Sequence, residues 1–207
     1  MTPRDFLAAS LKAHEGGLSL NASDNGNWFD PTRYKQGLPQ KRNMGKLVGS
    51  KFGVTAYALA QHRKLANVTA ADIASIAFDE AVDIAVDQYV DRPGLGFLAQ
   101  NRVTLSVIDK GYISGPGQAI KLLQRLIGAN DDGKIGKGGE TVQKYAAWIA
   151  KFGEEACARS YCQARIKFDT GLATDQGPND HDRIFLNGWN NRSQDFLPGT
   201  KWWKASA

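Results

Sequence analysis

Residues 103 to 128 read VTLSVIDKGYISGPGQAIKLLQRLIG, and the fold class turns on how that stretch is read. In its second half Ala119, Ile120, Leu122, Leu123 and Leu126 recur at helical spacing and Gly128 supplies a stop, so an amphipathic helix over 118–127 is expected. In its first half, residues 103–108 carry no charge, a pattern that a buried strand and a buried helix both satisfy. Ser114-Gly115-Pro116-Gly117 resets the chain between the halves. The flanks are helical in pattern, which favours reading 103–108 as the central helix of an α-rich core.

Working outward, Thr2, Pro3 and Asp5 form a helix start with Phe6, Leu7, Ser10, Leu11 and His14 on one face, and Gly16-Gly17 ends it. Thr55 is placed to cap a helix through Tyr57, Leu59 and Ala60, and Thr69, with Asp72 three residues on, opens another through Ile73, Ile76 and Ala77. Residues 78–91 repeat Val82, Ala85, Val86 and Tyr89 at helical spacing until Arg92-Pro93-Gly94. Downstream, Asn130-Asp131-Asp132-Gly133 turns the chain into a helix carrying Val142, Tyr145, Trp148, Ile149 and Phe152. A further helix spans about 154–168, a polar loop runs to Asp180, and a last helix holds Ile184, Phe185, Trp189 and Arg192 before the tail Lys201-Trp202-Trp203-Lys204. The expected class is mainly α, with the 20–52 region as the one place for a small β-hairpin.

The chain has 207 residues, 42% hydrophobic and 23% charged, which excludes wholesale disorder and collagen-like structure. No apolar run is long enough to span a bilayer. Arg4 and Asp5 interrupt the place where a signal-peptide core should begin, so synthesis in the cytosol without a secretory leader is expected. Cys157 and Cys162, five apart on a helix, point about 140° away from each other and are read as buried, unbridged thiols.

Basic residues outnumber acidic ones 26 to 21, for a net charge of +5 and a pI near 9.2, so an anionic polymer or surface is the expected partner. No nucleic-acid-binding motif occurs, and nucleic acid is not expected. Between Trp28 and Phe52, Arg33, Lys35, Lys41, Arg42, Lys46 and Lys51 face the single acid Asp30, with Pro31 and Pro39 interrupting any period. That segment reads as a long basic surface loop, either a solvated insertion or a flap that faces substrate.

Three histidines, His14, His62 and His181, with no paired-histidine motif, argue against a zinc site. Asn130-Asp131-Asp132-Gly133-Lys134-Ile135 has glycine cues of a calcium loop, but Gly128 and Gly139 stand where its first and last acidic ligands belong. No metal or cofactor is expected. What remains is carboxylate chemistry, with Glu15 foremost. It ends the first helix, where it faces the negative end of the helix dipole, an environment that favours the protonated acid a glycosidase uses on a leaving sugar oxygen. A solvated helix-end carboxylate without function fits the same local sequence.

From Glu15-Gly16-Gly17 onward the chain resembles glycoside hydrolase family 108, phage and bacterial muramidases with a Glu-Gly-Gly-Tyr signature. The family's later blocks have counterparts in order: Asp24-Asn25-Gly26-Asn27 for Asp-Pro-Gly-Gly, Phe52-Gly53-Val54-Thr55 for Tyr-Gly-Ile-Thr, and Asp109 with Ser114-Gly115-Pro116 for Asp and Asn-Ser-Gly-Pro. Lys121-Leu122-Leu123-Gln124, Asp132-Gly133-Lys134-Ile135-Gly136 and Phe185-Leu186-Asn187-Gly188-Trp189-Asn190-Asn191-Arg192 continue it to the C-terminal region. Leu18 replaces the signature Tyr, Asn25 the Pro and Tyr112-Ile113 the usual Val-Asn, while residues 28–50 look like an insertion.

The resemblance implies a lysozyme-like helical fold with two regions in one compact unit. Residues 1–117 would be catalytic, with the basic insertion at 28–50, and 118–207 a helical peptidoglycan-binding-like region. It implies a phage-type endolysin, released from the host cytoplasm by a holin, that cuts the β-1,4 bond between N-acetylmuramic acid and N-acetylglucosamine. Glu15 would be the general acid, with Asp24 and Thr55 positioning water. Gly16, Gly17, Asp109, Tyr112, Ser114, Trp189 and Arg192 are the candidate substrate contacts; an Asp ending an apolar helix serves as well to hold a backbone amide, and a Trp after Gly at helical spacing from Phe185 is more often a packing residue. The Lys-Trp tail would meet an anionic membrane surface or dock on the protein, and a monomer is expected. Two alternatives stay open: a lytic transglycosylase with Glu15 as its sole acid, and a non-catalytic wall-binding or virion protein on the same scaffold.

Overall fold

The structure, a computed structural model, describes residues 1–175 and 182–204. The expected polar loop up to Asp180 and His181 therefore lie partly or wholly outside the described residues. The chain divides into two compact units, Arg4–Gln88 and Tyr89–Ala207 together with Met1–Pro3. The residue 117/118 boundary between the two expected regions falls inside the second unit.

The first unit begins with α1 (Pro3–His14), which buries Phe6, Leu7 and Leu11. Its strands are two-residue pieces: β1 (Leu18–Ser19), β2 (Trp28–Phe29), β3 (Lys46–Leu47), β4 (Ser50–Lys51) and β5 (Val54–Thr55). Antiparallel pairing gives a three-stranded β1-β4-β5 sheet and a β2-β3 ribbon, so the hairpin expected within 20–52 forms, with a second beside it. The β4-β5 loop is the two residues Phe52 (φ 51°) and Gly53 (φ 74°), both left-handed as such a tight hairpin demands. Phe52 is held there edge-on to Phe78, ring centres 5.5 Å apart.

The basic segment is more ordered than a loop without periodicity suggests. Between β2 and β3 it forms α2 (Pro31–Lys35), started by Asp30, whose Oδ1 accepts from the amides of Thr32 and Arg33, and by Pro31 at the first helical position. Four-residue capping signals, not apolar period, encode this helix. Gly45 (φ 77°) lets β3 approach β2; a Cβ there would stand 2.1 Å from the Phe29 carbonyl oxygen. Behind these pieces lie α3 (Ala56–Arg63), α4 (Ala70–Ala74) and α5 (Phe78–Val86), the last followed by a π-type turn at Asp87–Asp91. Thr55 caps α3 and the Thr69/Asp72 capping box opens α4, as expected. Phe29, Val48, Val54, Leu59, Ile73 and Ile84 belong to one buried apolar cluster. Arg63 makes two 2.7 Å bonds to Glu80, tying α3 to α5.

In the second unit the ambiguous run is helical. α6 (Arg102–Ser114) is buried from Val103 to Gly111 and is capped by Asn101, whose Oδ1 accepts from the Thr104 amide at 3.0 Å. α7 (Pro116–Ile127) starts on Pro116 and stops at left-handed Gly128. α8 (Glu140–Leu172) is kinked at Gly153 (φ 78°, ψ 157°), a conformation open essentially to glycine alone. The kink separates the two helices expected there. α9 (Arg183–Gln194) and the single turn α10 (Lys201–Lys204) complete the unit. Cys157 and Cys162 are buried and unbridged. Among the described residues no helix is long and apolar enough to cross a membrane.

Candidate active site

Glu15 follows the last residue of α1, its amide bonding the Leu11 carbonyl at 2.9 Å, and is half-buried. Gly16 and Gly17 are exposed, with open space where a Cβ would stand. The Gly16 carbonyl accepts from the Phe52 amide at 3.2 Å, which fixes the chain just after Glu15 against the β4-β5 hairpin. Ser19 pairs with Ser50 and Ser50 with Thr55. Thr55 thus stands two strand spacings, roughly 10 Å, from Ser19.

Asp24 starts the 3-10 turn Asn25–Asn27: its Oδ1 accepts from the Gly26 amide at 2.8 Å. Gly26 has no room for a side chain, since a Cβ would come within 2.8 Å of the Thr55 methyl and 3.3 Å of Asp24 Oδ1. The close approach of that glycine brings Asp24 and Thr55 together. Thr55 Oγ1 accepts from the Ala58 amide at 3.3 Å, and its hydroxyl proton is left to donate. Asp24 is exposed, and its Oδ2 has no hydrogen bond among the described residues. A carboxylate oxygen and a hydroxyl proton can hold one water between them.

Of the other sequence candidates, the second unit brings Asp109, Tyr112 and Arg192 together. Asp109 is 2% exposed; its Oδ2 accepts from Arg165 at 2.7 Å and its Oδ1 from Arg192 at 2.8 Å. Arg192 also stands 5.9 Å over the Tyr112 ring, which packs 4.9 Å from Tyr89. The Asp109 carboxylate therefore holds α6 to α8 and α9. Trp189 is half-buried and stacks on Phe185 at 5.9 Å. Ser114 is half-buried at the end of α6. In the tail, Trp202 is 5% exposed and stacks on Phe196 with Lys201 over its ring, and Trp203 lies 5.6 Å from the Arg102 guanidinium.

Sequence reasoning missed two groups. Arg165 is fully buried, bonded to Asp109, the Ser106 hydroxyl and the Ser106 carbonyl, and Lys110 is ion-paired with Asp169 in the same interior. Burial outweighs that pairing and pushes the Lys110 ammonium below its ordinary pKa. A charge inside a helical stripe was the available signal. The second group lines a pocket of about 390 Å³ formed by Asn25, Gly26, Gly37, Pro39, Gln40, Thr55 and Tyr57. Nothing in the spacing of Gln40 or Tyr57 marks them. Asp131 pairs with Arg125, and Asp132 accepts from Gln124 and the Lys134 amide, so the Asn130–Gly133 segment is tied up as a helix-helix turn.

Residues 8–115 match the family model described as Glycosyl hydrolase 108. No curated protein matches the sequence. Among solved structures, the fold is similar to that of Brucella abortus SagA, with a TM-score of 0.62 and 20% identity over 94% of this chain and 95% of that one. At that identity the likeness speaks for the fold.

Proposed function

We propose that this chain, which belongs to the glycosyl hydrolase 108 family, is an N-acetylmuramidase with Glu15 as its general acid. Membership makes it a glycoside hydrolase, with peptidoglycan as the substrate. The finer reading is that it cleaves the β-1,4 bond between N-acetylmuramic acid and N-acetylglucosamine. The Glu15 carboxyl gives its proton to the glycosidic oxygen as the C1–O bond breaks. Water held by Asp24 and Thr55 adds to C1 and passes its proton to the Asp24 carboxylate. The observation that carries this reading is the Gly26 contact, which joins Asp24 to Thr55 beside the sheet that follows Glu15-Gly16-Gly17. The +5 net charge suits an anionic wall. In the same reading the protein is a phage endolysin that a holin releases from the host cytoplasm, and residues 118–207 assist wall binding.

One observation favours a second reading. Asp24 Oδ1 and Thr55 Oγ1 both already accept capping bonds, and a lytic transglycosylase would need only Glu15. The test is solubilisation of purified peptidoglycan by the wild type and by Glu15→Gln, with mass spectrometry of the products. Reducing muramic ends that fall about 10²- to 10⁴-fold with Glu15→Gln are expected. Anhydro ends would select the transglycosylase, and equal release by both proteins would remove Glu15 from the reaction.

A further inference from the structure

We infer that the pocket between residues 37–40 of the basic insertion and Tyr57 is a subsite for an uncharged N-acetylated amino sugar, with Gln40 as the residue that reads its acetamido group. Its place on the glycan strand rests on the muramidase reading; the binding itself does not. At about 390 Å³ the pocket falls within the roughly 300–1,000 Å³ of small-molecule sites. None of its lining residues is charged, although the insertion around it is strongly basic. A phosphate or carboxylate would find no counter-ion in the lining; a neutral sugar finds amides, a hydroxyl and an aromatic ring.

The polar groups are oriented before any ligand arrives. The Asp30 amide donates to Gln40 Oε1 at 2.7 Å, which settles the amide orientation and turns Nε2 the other way. Gln40 Nε2 is buried and has no hydrogen-bond partner among the described residues, a costly arrangement that an acceptor in the pocket relieves. The Arg42 amide likewise donates to Asn25 Oδ1 at 2.8 Å, leaving the Asn25 amide nitrogen as a donor. Tyr57 is held edge-on by Tyr34, ring centres 5.4 Å apart, and supplies a fixed apolar surface for a sugar ring. Two donors beside an aromatic plane suit an acetamido carbonyl and a pyranose face. Thr55 lines the same pocket, so a sugar seated there adjoins the water-holding pair. The insertion is thereby a wall of the site.

The probe is the uncharged tetramer of β-1,4-linked N-acetylglucosamine, titrated calorimetrically into Glu15→Gln so that turnover cannot interfere. Binding is expected, with the deacetylated tetramer binding at least tenfold more weakly. Adding Gln40→Glu keeps the oxygen that the Asp30 amide needs and removes the donor; it should weaken binding about tenfold without changing the melting temperature. Gln40→Met, which removes the donor without adding charge, should weaken binding by a similar factor, while its loss of the oxygen that accepts from the Asp30 amide lowers the melting temperature. In the active protein these changes should raise KM on soluble glycan strands and leave kcat within twofold. Tetramer binding unaffected by both Gln40 variants, or no binding at all, would overturn the subsite. Gln40-dependent binding in a protein that releases no muramic ends would uphold the subsite and overturn the muramidase reading alone.

Discussion

In the unit Arg4–Gln88 the buried residues are almost all apolar, Ser10 and Asn27 excepted, whereas the second unit buries Asp109, Lys110, Gln124, Arg165 and Asp169. Element length explains much of the difference. Helices of twelve residues or more, such as α6, α7 and α8, satisfy their own backbone and can hold a long charged side chain in one geometry. Two-residue strands and five-residue helices leave many backbone donors open, and the side chains of Asp24, Asp30, Thr55, Thr69 and Asp72 serve as caps at the surface. Charge in the second unit therefore fixes how helices pack, while the carboxylates of the first stay where a polymer can reach them.

Substitutions in both units try this contrast. Asp109→Ala leaves Arg165 and Arg192 without their carboxylate and should cost about 3–5 kcal/mol in urea unfolding; Glu15→Gln should leave the unfolding midpoint where it is. An Asp109→Ala protein of unchanged stability would break the comparison. Next in size, Lys110→Met strands Asp169 and should cost about 3 kcal/mol, most of it recovered in the double variant Lys110→Met/Asp169→Leu, because a well-packed apolar pair can replace a buried ion pair.

The smallest effect belongs to the first unit. The Arg63 guanidinium holds the Glu80 carboxyl below its ordinary value of 4.5, opposed by burial. A depressed carboxylate stabilises the fold above its unfolded pKa, and that contribution disappears as pH falls from about 4.5 through the lower folded value. Glu80→Gln should therefore reduce stability by about 1 kcal/mol at pH 7 and flatten its pH dependence below 4.5, as followed by thermal melts at stepped pH.

Much of the framework was legible. The capping box at Thr69, the Thr55 cap, the stop at Gly128 and the break at residue 153 all act within a few residues, so their signal is local. The charge-free run at 103–108 was harder, because a helix and a strand buried on all sides carry the same apolar pattern; packing on both faces of α6 settles it. α2 was invisible to periodicity because five residues hold too little of a period to read.

The sequence alone determined the helix starts at Thr55 and Thr69 and the stop at Gly128, and it set Glu15-Gly16-Gly17, Asp24 and Thr55 in family order, since these properties reside in neighbouring residues. Only the tertiary structure decided that Asp109 faces Arg165, 56 residues away, and Arg192, 83 residues away, or that Gln40, its amide nitrogen buried without a partner among the described residues, lines a pocket with Tyr57. Those outcomes depend on which surfaces meet once apolar side chains leave water, and a linear pattern records which residues are apolar but not which ones they meet.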